Sequence, residues 1–377
     1  MRFDFKEEWN QYKLKELLTV KSSGISINQM EENSGEYPLY GASGFIKNID
    51  FCEMESDYIS IVKDGSGVGN LSYHEKNSSI VNTSQYLLPK KNFDIHFLYY
   101  QLQTLNLLKY VNGSSIPHIY FKDYCIEKVA VPSLPEQQKI SNYLLLIDNK
   151  IELLEKKHHE YQNFKKYLMQ QIFAQKLRFD FDDVWKTVKI KDIFDERSEK
   201  GFLDLELLSV TLNDGVIKRS EIESKDNSNE NKSNYKHVLP GDIVYNSMRM
   251  WQGASGVSPY EGIVSPAYTI LIPKNVYSKY FGYYFKTNEM VYQFKKYSQG
   301  LTSDTWNLKY PLISEIKIKI PSIEEQKEIT NVFKIIDEKI KILQNNIDEL
   351  TTFKKGLLQQ MFVVQLILSL LQNKKHI

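Results

Sequence analysis

The sequence predicts an α+β protein in which two mixed α/β domains are joined by two long helices that form an antiparallel coiled coil. A long stretch that occurs twice is the main reason. VPSLPEQQKISNYLLLIDNKIELLEKKHHEYQNFKKYLMQQIF begins at Val131, and IPSIEEQKEITNVFKIIDEKIKILQNNIDELTTFKKGLLQQMF begins at Ile320. The two copies align without a gap and share roughly 18 of about 43 positions, which indicates an internal duplication.

Each copy is predicted to be one long helix that begins with the same signal. A proline ends an extended segment, a serine caps the helix, and a glutamate three residues later completes a capping box. These residues are Pro132, Ser133 and Glu136 in the first copy and Pro321, Ser322 and Glu325 in the second. A helix of about 38 residues is on the order of 57 Å long, which is too long for one globular core to cover.

An apolar seam with alternating spacings of four and three follows each helix start, as in a coiled coil. Its residues are Ile140, Leu144, Ile147, Ile151, Leu154, Tyr161, Leu168 and Ile172 in the first copy, and Ile329, Phe333, Ile336, Ile340, Leu343, Ile347, Leu350, Leu357 and Met361 in the second. Lys165 and Lys354 interrupt the seam at the same register. We therefore expect the two helices to pair with each other, antiparallel, as a spacer.

The regions before the two helices also echo each other, more faintly. RFDFKEEWNQYKLKELL at the start resembles RFDFDDVWKTVKIKDIF from Arg178, and DYISIVKDGSGVGNLSYH from Asp57 resembles DIVYNSMRMWQGASGVSPY from Asp242. The second pair predicts a β-hairpin followed by another strand in each region. The predicted order is a variable domain at 1–131, a helix at 132–177, a variable domain at 178–320, and a helix with an apolar tail at 321–377.

Composition and motifs exclude several kinds of protein. The N-terminus lacks a signal pattern, and the longest apolar run, MFVVQLILSLL, is about half the length that a membrane span needs. Cys52 and Cys125 have no metal-ligand spacing, so a reducing, cytoplasmic compartment is expected. The glycine-rich KDGSGVGN lies between strands with no helix after it, and no Walker-type phosphate loop occurs. The sequence therefore does not predict an enzyme.

Taken together, the doubled P-S-[LI]-x-E-Q entry, the I-D-x-K-I helix, the F-K-K helix end and the phrase YPLYGASGFI at Tyr37 resemble one family over essentially the whole chain. It is the DNA specificity subunit of type I restriction-modification systems. The resemblance implies two target-recognition domains that each read one half of a bipartite double-stranded DNA site, and helices that hold them at a fixed separation. It also implies that the chain is non-catalytic and binds no cofactor or metal.

The same resemblance implies the partners. Two methyltransferase subunits would dock on the helices and transfer a methyl group from S-adenosylmethionine to adenine. Restriction subunits, which are ATP-dependent translocases and nucleases, would join for cleavage, with ATP and Mg²⁺ bound in those partners. Similar helices offer a pseudo-two-fold docking surface for two identical partners, while different domains suit an asymmetric site.

Candidate DNA-reading residues can be proposed by residue type and position between strands. They are Tyr40, Ser43, Lys63, Ser66, Ser84, Gln85, His118 and Tyr120 in the first domain, and Asn246, Arg249, Trp251, Gln252, Ser265, Tyr268, Thr302, Ser303 and Trp306 in the second. Arginine suits guanine, and asparagine or glutamine suits adenine. We therefore rank Arg249, Gln252 and Gln85 highest.

Charge is the feature that fits a DNA-binding chain least well. Residues 1–131 carry about 13 Lys and Arg against 16 Asp and Glu, and residues 178–319 carry about 20 against 19. A protein that binds DNA alone normally has a basic excess, so we expect the partner subunits to supply much of the phosphate contact. Two alternatives stay open: a restriction system in which methyltransferase and nuclease share one partner chain, and a coiled-coil scaffold unrelated to DNA.

Overall fold

The computed structural model of the chain describes residues 5, 8–30, 32–212, 214–223, 228, 231–302 and 305–363. It divides into two compact units. Unit 1 comprises residues 1–156 and 344–377, and unit 2 comprises residues 157–343. Each unit therefore contains one variable region and part of both long helices. The apolar tail from residue 364 onward lies outside the described residues.

Unit 1 contains nine strands and three short helices among its described residues, followed by the start of the first long helix. In chain order they are β1 (Asn10–Lys13), α1 (Leu14–Leu17), β2 (Leu18–Ser22), β3 (Tyr37–Gly41), β4 (Gly44–Ile49), β5 (Tyr58–Val62), β6 (Leu71–His74), β7 (Ser79–Ile80), β8 (Ser84–Pro89), α2 (Ile95–Gln103), α3 (Phe121–Tyr124), β9 (Lys128–Val131) and α4 (Leu134–Phe173). The main sheet has the order β2-β8-β5-β6 and is antiparallel. A second sheet has the order β4-β3-β7, and β1 pairs with β9.

Unit 2 repeats this plan with different lengths. In chain order it contains β10 (Lys186–Lys189), α5 (Ile190–Ile193), β11 (Phe194–Glu196), β12 (Leu208–Thr211), β13 (Gly215–Lys218), β14 (Lys236–Val238), β15 (Ile243–Asn246), β16 (Ser255–Val257), β17 (Gly262–Val264), β18 (Tyr268–Pro273), α6 (Ser278–Tyr284), α7 (Asn288–Tyr297), α8 (Tyr310–Ile313), β19 (Lys317–Ile320) and the first part of α9 (Ile323–Leu358). A π-helical turn at Gln359–Val363, which belongs to unit 1, extends α9. The sheet β11-β18-β15-β16 matches the main sheet of unit 1, and β10 pairs with β19 as β1 does with β9. The predicted hairpins are confirmed as β5–β6 and β15–β16.

Each long helix begins at the repeated proline-serine phrase, and its glutamate contacts a tryptophan. Strands β9 and β19 end immediately before the prolines, and the helices begin immediately after the serines. Glu136 and Glu325 are completely buried. Glu136 accepts a hydrogen bond from the indole N–H of Trp9 at 3.2 Å, and Glu325 accepts one from Trp185 at 3.1 Å. Each glutamate therefore ties a helix start to the first strand region of its domain.

The two long helices are antiparallel within each unit, as predicted. In unit 1, Lys354 of α9 contacts Asp148 of α4 at 2.7 Å. In unit 2, Lys165 of α4 contacts Asp337 of α9 at 2.5 Å. All the predicted seam residues are buried or half-buried, and most of them belong to the large apolar core of one unit or the other.

The two lysines that interrupt the seam form a matched polar cluster in each unit. In unit 1 the Tyr100 hydroxyl donates to Asp148 at 2.7 Å, and Lys354 lies 5.2 Å from the Tyr100 ring centre. In unit 2 the Tyr283 hydroxyl donates to Asp337 at 2.8 Å, and Lys165 lies 5.1 Å from the Tyr283 ring centre. Burial and the aspartate hold the pKa of each tyrosine well above its usual range. These clusters join α2 or α6 to both long helices.

Candidate nucleic-acid interface

In unit 1, three loops that carry predicted DNA-reading residues meet at one end of the main sheet. The amide of Lys63 donates to the carbonyl of Thr83 at 2.9 Å, and the amide of Ile119 donates to the carbonyl of Lys63 at 2.8 Å. The amide of Gly65 donates to the carbonyl of Pro117 at 2.9 Å. The structure therefore brings the predicted residues of these loops together. They are Lys63, Ser66, Gln85, His118 and Tyr120.

Unit 2 builds the same junction from different residues. The amide of Ser247 donates to the carbonyl of Ala267 at 3.1 Å, and the amide of Leu308 donates to the carbonyl of Ser247 at 2.8 Å. Ser247, Ala267 and Leu308 thus correspond to Lys63, Thr83 and Ile119 of unit 1. This arrangement gathers the loops that carry Asn246, Arg249, Trp251, Gln252, Ser265, Tyr268, Thr302 and Trp306.

The predicted residues differ in how available they are to a ligand. Ser84 is only 1% exposed, because it opens the central strand β8, so it is less accessible to a ligand than the other predicted residues that the structure describes. Tyr40 is half-buried and packs on His74 with ring centres 4.4 Å apart, whereas Ser43 is exposed. Ser303 lies outside the described residues.

Exposed polar groups and aromatic rings share the junction in unit 2. Arg249 and Gln252 are exposed. The rings of Trp251 and Trp306 are 5.3 Å apart and nearly perpendicular, and Lys295 lies 5.5 Å from the Trp306 ring centre. Guanidinium and amide groups beside aromatic edges can donate to base edges and phosphates.

The sequence interpretation missed two lysines that lie against predicted aromatic rings. Lys122 lies 5.3 Å from the ring centre of Tyr120 in unit 1, and Lys295 lies 5.5 Å from the ring centre of Trp306 in unit 2. Lys122 is two residues after Tyr120, so its closeness to the Tyr120 ring could have been inferred from the sequence. Lys295 is on α7, and only the fold brings it to the junction.

Strand β6 of unit 1 ends at a buried histidine. His74 stacks on Tyr58 with ring centres 5.0 Å apart, and its Nε2 is 2.9 Å from the hydroxyl of Ser60. Burial lowers the pKa of His74 from 6.5 to about 4. The imidazole is therefore neutral in the folded protein at neutral pH.

This histidine predicts a pH-dependent loss of stability in unit 1. Because the pKa of the folded state is below that of the unfolded chain, the contribution to stability is fully present above pH 6.5 and is lost as the pH falls toward 4. Between pH 7.5 and pH 5 the free energy of unfolding should fall by about 2 kcal/mol more in the wild-type chain than in His74→Gln. Urea titrations of both proteins at the two pH values measure this difference. Identical pH dependence in the two proteins would contradict the prediction.

The long helices carry a second set of exposed side chains, which are apolar and occupy equivalent places in the two copies. Leu146, Leu153 and Phe164 of α4 correspond to Ile335, Ile342 and Phe353 of α9, and all six are between 45% and 67% exposed. Spacings of seven and eleven residues are close to two and three helical turns. Each trio therefore forms one stripe along its helix. By unit, the set consists of Leu146, Leu153 and Phe353 in unit 1, and Ile335, Ile342 and Phe164 in unit 2.

The described part of the chain contains no metal-binding cluster and no helix that could cross a membrane. Among those residues, no group of three or more His, Cys, Asp or Glu side chains is placed to hold a metal ion. None of the described helices is both long and apolar enough to cross a membrane. Cys52 and Cys125 are free thiols.

Comparison with known proteins identifies the family. The model of the type I restriction modification DNA specificity domain matches residues 6–162 and 182–352. The chain therefore belongs to the type I restriction-modification DNA specificity family and carries the family's domain twice. It is 25% identical over 399 aligned residues to the type I restriction enzyme MjaVIII specificity subunit of Methanocaldococcus jannaschii, covering 93% of this chain and 91% of that protein.

Solved structures support the same fold. The S subunit of a type I restriction-modification system from M. genitalium aligns with a TM-score of 0.66 at 16% identity, covering 96% of this chain and 98% of that one. A chain from a study of complex assembly and conformational transition of the type I system aligns with a TM-score of 0.53 at 14% identity, covering 95% and 98%. The α+β prediction and the resemblance stated from the sequence are both confirmed.

Proposed function

We propose that this type I restriction-modification specificity subunit reads an asymmetric, bipartite double-stranded DNA site, with one half read by each unit. The observation that carries the proposal is the loop junction, in which two backbone hydrogen bonds recur in both units while the side chains differ. A shared scaffold places the readers in equivalent positions, and the different readers, such as Lys63 and Gln85 against Arg249 and Gln252, select different bases.

The proposal assigns catalysis to partners. The chain itself positions DNA and is non-catalytic, while two methyltransferase subunits supply S-adenosylmethionine chemistry, and restriction subunits supply ATP- and Mg²⁺-dependent cleavage. The equivalent apolar stripes on the two helices support two identical partners, because exposed apolar patches on soluble proteins commonly mark interfaces. Two equivalent surfaces suit two copies of one partner. The proposed setting is the cytoplasm.

Mapping of N6-methyladenine by long-read sequencing tests this function. Cells that express the methyltransferase partner with and without this chain should differ by one bipartite motif, which appears only when the chain is present. A chain unrelated to DNA would leave the methylation pattern unchanged. A partner that fuses methyltransferase and nuclease in one polypeptide would appear as a different subunit composition of the purified complex.

Paired variants test which unit reads which half. The Arg249→Ala and Gln252→Ala double variant should relax selectivity in one half-site only, and Lys63→Ala with Gln85→Ala should relax the other. Each lost base contact is expected to cost about 1–3 kcal/mol of discrimination, visible as methylation of sites with mismatches in that half. Relaxation of the same half by both double variants would contradict the assignment of one half-site to each unit.

A further inference from the structure

Unit 2 contains a cavity of about 510 Å³ between α6, strand β16 and the first turns of α9. Among the described residues, four lysines and one carboxylate, that of Asp214, line it. The lysines are Lys279 and Lys286 from α6 and the residues after it, and Lys327 and Lys334 from α9. Tyr283, Thr330 and Asn331 add hydroxyl and amide groups to the wall. A concave site that gathers several cations with polar groups around them is typical of an anion-binding site.

Most of these ammonium groups lack a carboxylate partner. Within the described part of the chain, no ion pair within 4.0 Å involves Lys279, Lys286 or Lys327, and the carboxylate of Glu338 is 3.6 Å from Lys334. Lys286 is half-buried and donates to the backbone carbonyl of Leu212 at 3.2 Å. Burial and the nearby charge of Lys165 lower the pKa of Lys286. The cavity therefore holds a partly desolvated ammonium group whose charge an anion would stabilise.

The internal repeat supplies a control for this cavity, because the equivalent places in unit 1 can be identified. In unit 1 the amide of Asp94 donates to Gln137 at 2.9 Å, and in unit 2 the amide of Tyr277 donates to Gln326 at 2.9 Å. The hydrogen bonds of Tyr100 and Tyr283 to the helix aspartates fix the same register. With this register, the unit 2 residues Lys279, Lys286, Lys327 and Lys334 correspond to the unit 1 residues His96, Gln103, Gln138 and Leu145. All four lysines are thus specific to unit 2.

The space is also different in the two units. In unit 2, Val257 and Gly282 leave room beside the lysines, and a Cβ atom at Gly282 would come within 3.2 Å of the Val257 side chain. The corresponding residues of unit 1 are Tyr73 and Tyr99. The Tyr73 ring centre lies 4.2 Å from that of His96 and 6.4 Å from that of Tyr99. Aromatic rings therefore occupy in unit 1 the place that is open and positively charged in unit 2.

We propose that the cavity beside α6 and α9 is a phosphate-binding site that only the second unit possesses. Phosphate oxygens match the ammonium groups and the Asn331 amide of the wall, and lysine clusters bind phosphate as point charges. The phosphate belongs either to the backbone of bound DNA or to a free polyphosphate such as the phosphate chain of a nucleotide. If the phosphate belongs to DNA, the inference rests on the proposed function, and the second unit binds the DNA backbone more strongly than the first. If the phosphate belongs to a free polyphosphate, the inference is independent of that function.

The first arm of the test measures DNA binding by the chain assembled with its methyltransferase partners. Lys279→Gln with Lys327→Gln should reduce the slope of log K against log salt concentration by about 1.8, that is, about 0.9 for each lost phosphate contact. The control is Lys317→Gln with Lys319→Gln, two exposed lysines on β19 that do not line the cavity. The control should leave the slope unchanged, and both double variants should still direct methylation to the wild-type motif.

The second arm uses the full chain without DNA and inorganic pyrophosphate as the probe. Acylation by acetic anhydride, followed by mass spectrometry, reports the reactivity of each lysine. Pyrophosphate should slow the labelling of Lys279, Lys286 and Lys327 severalfold and leave Lys317 and Lys319 unaffected. A reduced slope in the first arm supports DNA as the source, and protection with an unchanged slope supports a free polyphosphate. An unchanged slope together with no protection overturns the proposal, whereas loss of directed methylation by the wild-type chain would overturn only the proposed function.

Discussion

The Trp185→Phe variant is expected to lower the free energy of unfolding of unit 2 by about 3 kcal/mol. The Trp185 indole donates to Glu325, whose side chain is 1% exposed. Arg178 also donates to this carboxylate, at 2.8 and 3.2 Å. Phenylalanine removes the N–H donor, so a buried carboxylate loses a hydrogen bond, and the smaller ring leaves a cavity. Both effects act on the folded state only.

Hydrogen exchange during a urea titration measures this effect separately for each unit. Peptides from unit 2 should open at lower urea in Trp185→Phe, and peptides from unit 1 should not. Trp251→Phe is the matched control, because Trp251 is partly exposed and donates only to the carbonyl of Met248. Equal destabilisation by the two tryptophan variants would contradict the role given to the buried carboxylate.

The long helices were predictable because the apolar seam occurs twice, and the alignment of the two copies fixes the register of each helix. Proline, serine and apolar spacing fixed the helix starts and the faces that pack. The partners of the buried glutamates were not predictable, because a glutamate three residues after a serine suits a capping box equally well. The choice depends on Trp9 and Trp185, which are more than a hundred residues away from their glutamates in the chain and reach them only in the folded domain.

The candidate interface was predictable by region and only partly by residue. The loops named from sequence do meet, because each follows a strand of the same sheet and their backbones bond to one another. Ser84 was chosen for its polar side chain, yet the strand that begins there is central and buries it. Residue type gives no sign of which strand is central when the sheet order, β2-β8-β5-β6, differs from the chain order.

The unit 2 cavity was not predictable from the same repeat that revealed the helices. The clear sequence match covers the long helices, where Lys327 and Lys334 align with Gln138 and Leu145. It does not extend to α2 and α6, whose correspondence is fixed by hydrogen bonds to the helices and not by similar residues. In the sequence the four lysines are therefore separate charges with no visible relation. Only the fold brings them together around one cavity.

Replacement of the exposed phenylalanines on the long helices is expected to remove the methyltransferase partners one at a time. Phe353 belongs to the apolar set of unit 1 and Phe164 to that of unit 2, and each is about half exposed. A charge placed at the centre of an apolar interface is left without a partner and desolvated, which typically costs several kcal/mol of binding. Phe353→Asp and Phe164→Asp should therefore each release one partner, and the double variant should release both.

Native mass spectrometry of the co-expressed complex counts the partners directly. The wild-type chain should carry two, each single variant one, and the double variant none, while the chain itself stays folded because both rings are exposed. Gln344→Glu is the control, since this exposed residue lies half a turn around α9 from Ile335 and adds the same charge. The equality of the two single variants is the decisive result, because it follows from the repeat. Retention of two partners by both single variants would show that the docking surface lies elsewhere. Loss of both partners from one substitution would mean that the partners bind as a preformed pair and not independently at the two equivalent apolar sets.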